Sequence, residues 1–323
     1  MPEVVREPDN VARPARPLTV AITGGTGFIG STIIRRLLAA GLAVRALVRP
    51  ASVSSCFAIS GLFWQQGELH SDESLQRLLV GVQAVIYCAG AVRGASPEDF
   101  ASANVVGVER IVRAAREAKD RPRLLLFSSL TAREPDLSDY AASKRRGEEV
   151  LRSTAGELDW TILRPPAVYG PGDREVLPLL KWLRRGVAFV PGGSAARLSL
   201  LYVADLAEAV LCWLKSGGGR GGCFELHDGK AGGYSWEEIQ GIAAMLYRRP
   251  VWRVEVPRAM IAAAGRLNIA ASRLLGYRPM LTPGKVRELC YPDWVCDNEA
   301  FTAATGWRPM VDLREGLRCT LGG

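Results

Sequence analysis

A tyrosine and a lysine four residues apart are the pair in this sequence best suited to proton transfer. Tyr140 and Lys144 lie in the segment YAASK, and this spacing places both side chains on one face of a helix. An ammonium group beside a phenol stabilises the phenolate, so we expect Lys144 to lower the pKa of Tyr140 toward the working pH. Ser128 and Ser129 end an apolar run just before this helix and add a hydroxyl group. The pattern indicates acid–base catalysis at a substrate oxygen.

A glycine-rich turn near the start of the sequence indicates a second kind of site. The segment TGGTGFIG, residues 23–30, stands between the buried-strand run Leu18–Ile22 and a helix whose apolar residues recur at helical spacing. Glycines let a pyrophosphate approach the backbone, and the helix N-terminus adds N–H donors. The motif therefore predicts a dinucleotide site formed by Thr23, Gly24, Gly27, Phe28, Ile29 and Gly30.

The end of the second predicted strand indicates which dinucleotide is bound. NAD sites usually carry an acidic residue there, about 20 positions after the turn, to bind the ribose 2′-hydroxyl. Here no Asp or Glu occurs between Asp9 and Glu68. Val48 takes the usual acidic position and Arg49 follows it, and a guanidinium group can hold a 2′-phosphate bidentately. We therefore predict that NADP(H) is preferred over NAD(H).

Short apolar runs alternate with helical patterns through the first half of the sequence, as is typical of a parallel sheet covered on both faces. This alternation predicts an α/β fold with a Rossmann-type doubly wound parallel sheet. The predicted strands cover residues 18–22, 44–48, 62–64, 84–88, 124–127 and 160–163, and the helical patterns cover 29–38, 100–119 and 139–151.

The rhythm changes after Pro165, where prolines and glycines become frequent. Helical patterns at 203–214 and 235–247 are then separated by short predicted strands at 223–226 and 251–256. We expect a small C-terminal α/β cap, and a substrate pocket that opens between Tyr140 and this cap. The predicted domains are a loose N-terminal leader at 1–17, an NAD(P)-binding Rossmann domain at 18–165 to which later segments return, and a mainly substrate-binding cap at 166–323.

Composition excludes several classes of protein. The 323 residues are 48% hydrophobic and 23% charged, which excludes disordered, collagen-like and coiled-coil chains. Seven cysteines without C-x-x-C spacing and only two histidines predict reduced thiols in a cytoplasmic protein and no metal site. The net charge is +8, and the arginine pairs are dispersed along the sequence rather than clustered on one face, so a nucleic acid partner is not expected.

A set of motifs in a fixed order resembles the extended short-chain dehydrogenase/reductases, the NAD-dependent epimerase/dehydratase family. The resemblance covers nearly the whole sequence. Besides the turn at 23–30 and the YAASK segment, it rests on GEL at 67–69, CAG at 88–90, NVVG at 104–107, LRPPAVYGPGD at 163–173 and RLSLLYVADLAEAV at 197–210.

The resemblance implies a role for each site residue. Tyr140 would exchange a proton with the substrate oxygen, Ser129 would hydrogen-bond that oxygen, and Lys144 would bind the nicotinamide ribose. The nicotinamide would give or take a hydride at a secondary alcohol or ketone carbon. The other implied cofactor contacts are Glu68 and Leu69 at the adenine, Ala89 and Gly90 along the cofactor, and Pro165 and Val168 near the nicotinamide.

Two further residues are candidates for substrate contact. Ser129 is followed by Leu130 and Thr131, where sugar 4,6-dehydratases of the family carry an Asp-Glu pair, so dehydration is not expected. Thr131 is an alternative to Ser129 as the catalytic hydroxyl. Arg197 lies near the place where members that act on nucleotide sugars hold the diphosphate.

The C-terminal stretch is similar to the 3β-hydroxysteroid dehydrogenase and hopanoid-associated branch of the family. The matching pieces include PMLTP at 279–283, DWVCD at 293–297, GWRP at 306–309 and LREGL at 313–317. The apolar, basic stretch 258–275 ahead of them would form a substrate cover or a peripheral membrane contact, or else an ordinary cap helix packed on the core. Besides a small-molecule substrate, a homodimer is the other partner expected.

Two classes of function agree with these observations. In the first, the protein is an NADP(H)-dependent oxidoreductase or epimerase that acts on a nucleotide sugar or on a sterol- or terpenoid-like substrate. In the second, it is a non-catalytic Rossmann module that keeps a nucleotide for stability, as a structural or accessory subunit. The intact pair of Tyr140 and Lys144 argues for the first class, because a module without catalytic demand need not keep both.

Overall fold

The computed structural model describes residues 18–193 and 195–322, and the predicted leader at 1–17 lies outside the described residues. The strands are β1 Thr19–Thr23, β2 Ala43–Val48, β3 Leu62–Gln66, β4 Ala84–Tyr87, β5 Arg123–Phe127, β6 Trp160–Arg164, β7 Ala167–Tyr169, β8 Val187–Pro191, β9 Arg197–Leu198, β10 Leu200–Tyr202, β11 Gly222–Glu225, β12 Tyr234–Ser235, β13 Trp252–Val256 and β14 Asp293–Trp294. The helices are α1 Phe28–Ala39, α2 Asp72–Leu79, α3 Pro97–Ala101, α4 Gly107–Glu117, α5 Asp139–Thr154, α6 Leu177–Arg184, α7 Val203–Ser216, α8 Trp236–Tyr247, α9 Arg258–Leu275, α10 Pro283–Leu289, α11 Glu299–Thr305 and α12 Leu313–Leu321.

Seven parallel strands form the main sheet, in the order β11-β6-β5-β4-β1-β2-β3. α1 and α7 pack together on one face, and α2, α4 and α5 pack beside one another on the other. The central strands β1, β4 and β5 are almost continuous apolar runs because helices cover both of their faces. The predicted Rossmann-type α/β sheet is confirmed.

The winding of the sheet reverses between β1 and β4. β1 pairs with β2 on one side and with β4 on the other. Ligands of open α/β sheets bind at such a switch point, in the crevice outside the carboxyl ends of the strands. The glycine-rich turn follows β1 and the segment 89–90 follows β4, so both border this crevice.

The second half of the protein has an apolar core of its own. β8 pairs with β13, and β9 lies between β12 and β14. Buried side chains such as Tyr169, Leu183 and Tyr234 form the centre of this core. One strand, β11, leaves this region and extends the main sheet beside β6. Residues beyond 165 therefore complete the Rossmann layer as well as forming the cap.

The helical pattern at 100–119 is not one regular helix. A π-helical turn, Ser102–Val106, separates α3 from α4. Tyr87 donates its hydroxyl to the carbonyl oxygen of Ala103 in this turn at 2.7 Å, and a Cβ on Gly107 would lie 2.1 Å from that hydroxyl. The prediction of a single regular helix is wrong here. Side-chain periodicity does not reveal a π-helical turn, in which each backbone hydrogen bond spans five residues instead of the four of an α-helix.

A glycine allows α5 to approach the π-helical turn closely. A Cβ on Gly147 would lie only 2.2 Å from the carbonyl oxygen of Asn104. α5 contacts both α4 and the turn along this line. Because α5 carries Tyr140 and Lys144, the close packing at Gly147 fixes where their side chains lie relative to the sheet.

Replacement of Gly147 tests this packing constraint. We expect Gly147→Ala to lower the free energy of unfolding by about 1–3 kcal/mol, since its methyl group would overlap the Asn104 carbonyl. Gly241, in the middle of α8, is the matched control because nothing lies within 4 Å of a Cβ there. Gly241→Ala should stabilise by about 0.5–1 kcal/mol through helix propensity. Urea unfolding measures both, and equal effects of the two replacements would contradict the constraint.

Candidate active site

The glycine-rich turn leads directly from β1 into α1. A Cβ on Gly30 would lie 2.3 Å from the carbonyl oxygen of Gly24, and a Cβ on Gly24 would lie 2.8 Å from the backbone nitrogen of Ala89. Gly24 also has a φ of 72°, in the left-handed region. Thr23 is fully buried, and its Oγ1 accepts a hydrogen bond from the Ala89 N–H at 3.2 Å. The turn therefore lies against both its own helix and the loop after β4.

The first turn of α1, which includes Phe28, Ile29 and Gly30, is suited to bind an anion. The helix is preceded by Gly27, no side chain caps its first turn, and that turn contains no acidic residue. The first N–H groups of a helix have no partner within the helix, and the positive end of the dipole favours negative charge there. This chemistry and the bare backbone at Gly24 and Gly30 fit the pyrophosphate of a dinucleotide.

The residues predicted to contact the adenosine half follow β2 and β3. Arg49 is exposed immediately after β2, with its Nη2 3.5 Å from Ser52 Oγ. Glu68 is exposed and Leu69 is half-buried after β3. Because β1, β2 and β3 are neighbours in the sheet, these residues lie along the same carboxyl edge as the glycine-rich turn.

The buried side chain of Asn104 joins the loop after β4 to α5. Its Oδ1 accepts from the Ala91 N–H at 3.1 Å, and its Nδ2 donates to the Ala91 carbonyl at 3.0 Å and to Ser143 Oγ at 2.9 Å. Ser143 Oγ in turn donates to the Tyr140 carbonyl at 2.7 Å. The loop that contains Ala89 and Gly90 is thus held to the helix that carries Tyr140.

Three hydroxyl groups meet at the carboxyl end of β5. The Thr131 hydroxyl donates to Ser129 Oγ at 2.9 Å, and Ser129 lies close enough to Tyr140 to act on the pKa of its phenol. The ring of Tyr140 packs on Phe100, with 6.1 Å between ring centroids. The structure therefore brings the predicted residues Ser129, Thr131 and Tyr140 together.

The pKa values of the Tyr–Lys pair differ from the sequence-based expectation. Burial raises the pKa of Tyr140 to about 12, the hydrogen bond with Ser129 acts in the opposite direction, and the charge of Glu288 adds to the rise. The expected lowering is wrong because desolvation of the phenol outweighs the stabilisation of its anion. Tyr140 therefore keeps its proton at neutral pH and is suited to donate it.

Lys144 is directed toward the end of β5. Its Nζ donates to the carbonyl oxygen of Phe127 at 2.9 Å, and burial lowers its pKa to about 8. A Cβ on Gly90 would lie 3.1 Å from the same nitrogen. The ammonium group is thus next to the loop after β4, on the crevice side of Tyr140's helix.

A cavity of about 210 Å³ opens beside Tyr140. One side is formed by the loop after β4 and by α3, with Val92 and Phe100 among its residues. The cap supplies the other side, from Ile269 on α9 to the segment that leads into α10, including Met280. The prediction of a pocket between Tyr140 and the cap is confirmed.

A carboxylate of the cap lies on the wall of this cavity. Glu288 on α10 is 3% exposed, and it accepts hydrogen bonds from Ser138 Oγ and, at 2.8 Å, from Lys285 Nζ. Ser138 also caps α5 by accepting from the Ala141 N–H at 2.9 Å. Glu288 therefore ties α10 to the first turn of the helix that carries Tyr140.

The remaining predicted residues lie on the segments after β6. Pro165 is buried, and its carbonyl accepts from the Leu130 N–H at 2.9 Å, while Val168 lies in β7. The Arg197 guanidinium donates to two carbonyls before β12 at 2.7 and 2.8 Å and pairs with Glu238 at 3.3 Å. The structure does not bring Arg197 to the cavity described above.

Two residues of the site were not singled out by sequence reasoning. Asn104 could have been found, because it begins the NVVG segment that carries part of the family resemblance. No sequence pattern pointed to Glu288, because it contacts Ser138 across 150 positions of sequence and no local motif connects the two residues.

Short-chain dehydrogenase/reductases are the class in which such a turn and a Ser–Tyr–Lys group occur on one parallel sheet, and the protein is built in this way. Over residues 20–224 it matches the NAD dependent epimerase/dehydratase family, to which it belongs. As a member of this family, it is an NAD(P)-dependent oxidoreductase or epimerase.

Relatives of known name include two reductases. The protein is 36% identical to "Ceramide reductase" of Caulobacter vibrioides, over 85% of each chain. It is 29% identical to "4-hydroxy-2-methyl-3-oxo-4-farnesyl-3,4-dihydroquinoline-1-oxide ketoreductase" of Stigmatella aurantiaca, over 87% of this chain and 94% of the relative. UDP-glucose 4-epimerase of Thermotoga maritima shares the fold, with a TM-score of 0.70 and 20% identity over 94% of this chain and 97% of that one.

Removal of the Tyr140 hydroxyl tests its assigned role. Tyr140→Phe deletes the transferable proton and keeps the ring, so we expect turnover of a carbonyl substrate to fall by about 10²–10⁴-fold, with NADPH affinity almost unchanged. Tyr247→Phe in the cap is the control, because its buried hydroxyl has no hydrogen-bond partner in the described part of the protein. Steady-state kinetics and NADPH fluorescence titration separate the two effects. Full turnover by Tyr140→Phe would assign the proton transfer to another group.

Proposed function

We propose that the protein is an NADPH-dependent reductase of a ketone carried by a long-chain lipid. The observation that carries this proposal is the cavity beside Tyr140, which combines a proton donor with apolar walls from the cap. Ile269, Pro279 and Met280 line the cap side, and Val92 and Phe100 line the other. Each methylene that such walls remove from water contributes about 0.8 kcal/mol to binding.

The charges around the cavity argue against a nucleotide sugar. A diphosphate needs cations that converge on it and are free to bind. Of the cations on the cavity wall, Lys285 donates to Glu288 at 2.8 Å and Arg287 donates its Nε to the Leu137 carbonyl at 2.7 Å. Arg197 is engaged elsewhere, so an apolar substrate chain is the better match.

The named relatives support reduction of a lipid-like ketone. Both are called reductases, one of ceramide and one of a substrate that carries a farnesyl chain. The ceramide reductase is also similar over most of its length. An epimerase would hold a nucleotide sugar in the same crevice. This alternative is disfavoured because the basic side chains of the cap already bind carboxylates or backbone carbonyls.

The residues at the end of β5 would perform the proton transfer. Tyr140, whose raised pKa keeps it protonated, donates its proton to the carbonyl oxygen of the substrate. Ser129, next to Tyr140, holds that oxygen, with Thr131 fixing the orientation of Ser129. Lys144 adds positive charge on the crevice side of Tyr140. When bound, NADPH supplies the hydride for the carbonyl carbon, so the products are a secondary alcohol and NADP⁺.

Arg49 supports NADPH as the preferred cofactor. It is exposed at the end of β2, next to Ser52, where Val48 replaces the usual acidic residue.

The seven cysteines form no disulfide, which supports a cytoplasmic site of action, where NADPH is available to a reductase.

Cofactor preference can be measured directly. We expect NADPH to bind more tightly than NADH, and Arg49→Ala to weaken NADPH by about 1–3 kcal/mol through loss of a charge-assisted hydrogen bond. NADH affinity should not change, because NADH has no 2′-phosphate. Arg318→Ala, at an exposed ion pair with Glu315 on α12, is the control. Equal affinity for the two cofactors in the unmodified protein would refute the preference.

A substrate panel tests the proposed reaction. With NADPH present, we expect a ketone analogue of ceramide in detergent micelles to oxidise the cofactor, and the Tyr140→Phe variant to lose this activity. Thermal stabilisation by UDP-glucose that disappears at high salt would instead support a nucleotide-sugar epimerase. If no ketone, steroid or sugar causes oxidation or a thermal shift, the non-catalytic module becomes the better description.

A further inference from the structure

The wall of the cavity beside Tyr140 contains a carboxylate that is shielded from water. Among the described residues of this wall, Asp139 and Arg287 are exposed and Lys285 is half-buried, whereas Glu288 is buried. Burial of a charge costs free energy that hydrogen bonds and opposite charges must offset. A buried carboxylate in the wall of a substrate cavity is therefore a candidate for contact with the substrate.

Several contacts hold Glu288 in place. Its two carboxylate oxygens accept from Ser138 Oγ and, at 2.8 Å, from Lys285 Nζ. The indole N–H of Trp294 donates to the Glu288 carbonyl at 2.8 Å. The start of α10 also lies directly against Ser138, since a Cβ on Gly284 would lie 2.8 Å from the Ser138 Cβ. The carboxylate is therefore fixed before any ligand enters the cavity.

The carboxylate of Glu288 can accept further hydrogen bonds. The two oxygens of an ionised carboxylate have about four lone-pair positions, and Ser138 and Lys285 take one each. The other positions can accept an N–H or an O–H, but an ionised carboxylate has no proton to donate. A ligand in the cavity is therefore recognised at Glu288 by a hydrogen-bond donor.

Glu288 lies close to the proposed proton donor. Ser138, which donates to Glu288, is two residues before Tyr140 at the start of α5. Glu288 and Tyr140 line the same cavity, and the charge of Glu288 contributes to the raised pKa of Tyr140. A substrate whose ketone oxygen contacts Tyr140 therefore has the carbons beside its ketone near Glu288.

We propose that Glu288 determines substrate specificity by accepting a hydrogen bond from an uncharged N–H or O–H group beside the ketone. This inference rests on the proposed reductase function and narrows the substrate class to ketones with an amide or a hydroxyl group close to the carbonyl carbon. The apolar residues of the cavity, such as Phe100 and Met280, would contact the hydrocarbon chain, while the donor group faces α10.

An ammonium group is the competing ligand of Glu288. Lys285 Nζ already lies 2.8 Å from one carboxylate oxygen and supplies the opposite charge. An ammonium group on the substrate would be repelled by Lys285, and like charges repel more strongly in a site shielded from water. A neutral donor avoids this repulsion and still uses the acceptor positions of the carboxylate.

A purely structural role is the other alternative for Glu288. The carboxylate would then only join α10 to the start of α5, and its replacement would slow the reduction of all substrates alike. A role in recognition instead affects substrates that carry the donor and spares those that lack it. The ratio of the two activities therefore separates recognition from structure.

Paired substrates measure this ratio. One pair is a long-chain ketone with an amide N–H on the carbon next to the carbonyl, and the ester in which oxygen replaces that N–H. The other pair has a hydroxymethyl group or a methyl group on that carbon. With NADPH, in detergent micelles, we expect kcat/KM to be about 10–100-fold higher for the donor in at least one pair, as for a hydrogen bond to a charged group. The pair that shows the preference identifies the donor as N–H or O–H.

Replacement of Glu288 should remove this preference. Glu288→Gln keeps the size of the side chain but removes its charge and turns one oxygen into a donor, so we expect the ratio to fall to about one. The substrates without the donor should be reduced nearly as fast as before. Glu149→Gln, in an exposed ion pair with Arg145 on α5, is the control and should keep the full ratio.

A second variant keeps the proposal testable if Glu288→Gln does not fold, which thermal unfolding would reveal. Lys285→Met removes the competing ammonium group from the carboxylate. We expect this variant to reduce an amine analogue of the amide substrate about tenfold faster than the unmodified protein does, since the repulsion is removed. An unchanged rate for the amine would contradict the assignment of Glu288 as the acceptor.

Three other results would overturn the proposal. The first is equal reduction of the two members of both pairs by the unmodified protein. The second is that Glu288→Gln slows all substrates by the same factor, which would assign a structural role. The third is that the unmodified protein prefers the amine to the amide, which would assign the site to a charged group.

Binding measurements distinguish this proposal from the proposed reaction. With NADPH bound, the alcohol forms of the probes cannot react, so calorimetry gives their affinities without turnover. A preference for the donor that Glu288→Gln abolishes, without reduction of any ketone, would disprove only the reductase. Reduction of all the ketones without a preference would disprove only the role of Glu288.

Discussion

The hydrogen bonds of one buried amide, that of Asn104, set the distance between the cofactor crevice and the helix that carries Tyr140. The amide holds the backbone of Ala91 on one side and Ser143 on the other. The backbone carbonyl of Asn104 leaves no room for a side chain at Gly147 of α5. Asn104 lies buried in the π-helical turn, and Tyr87 donates its hydroxyl to the Ala103 carbonyl of the same turn. The contacts of Asn104 act together with the hydrogen bond from Lys144 Nζ to the Phe127 carbonyl to hold Lys144 opposite the loop after β4.

The cap depends on the same helix from the other end. Ser138 caps α5 and also donates to Glu288 of α10, so the start of the helix that carries Tyr140 and the wall of the cavity share one hydroxyl group. Arg133, just before it, donates to the carbonyls of Asp293 and Val295 at 2.6 and 2.7 Å. The shape of the cavity and the position of Tyr140 are therefore coupled through short polar contacts, and the cap cannot shift without disturbing the first turn of α5.

Much of the Rossmann half could be predicted from the sequence. The six predicted strands of the first half agree with β1–β6 to within two residues at each end, because buried parallel strands are distinct apolar runs. The glycine-rich turn was predictable because it is a short local motif. The grouping of Ser129 with Tyr140 was predictable because Ser129 ends a predicted strand, at the edge where parallel sheets place ligands. The raised pKa of Tyr140 was not, because it depends on burial by residues distant in sequence. The sequence also marked 258–275 as an apolar, basic stretch, but composition could not tell which of its apolar side chains face outward.

The return of β11 to the main sheet has a consequence for recombining this protein with its relatives. β11 lies beside β6 at the edge of the sheet, and α7, which precedes it, covers α1. A chain ended after Pro165 would leave β6 as an open edge and one face of α1 exposed to water. An exchange of substrate specificity between family members therefore needs crossovers on both sides of the α7–β11 segment. The nucleotide-binding half is a unit in space that is interrupted in sequence.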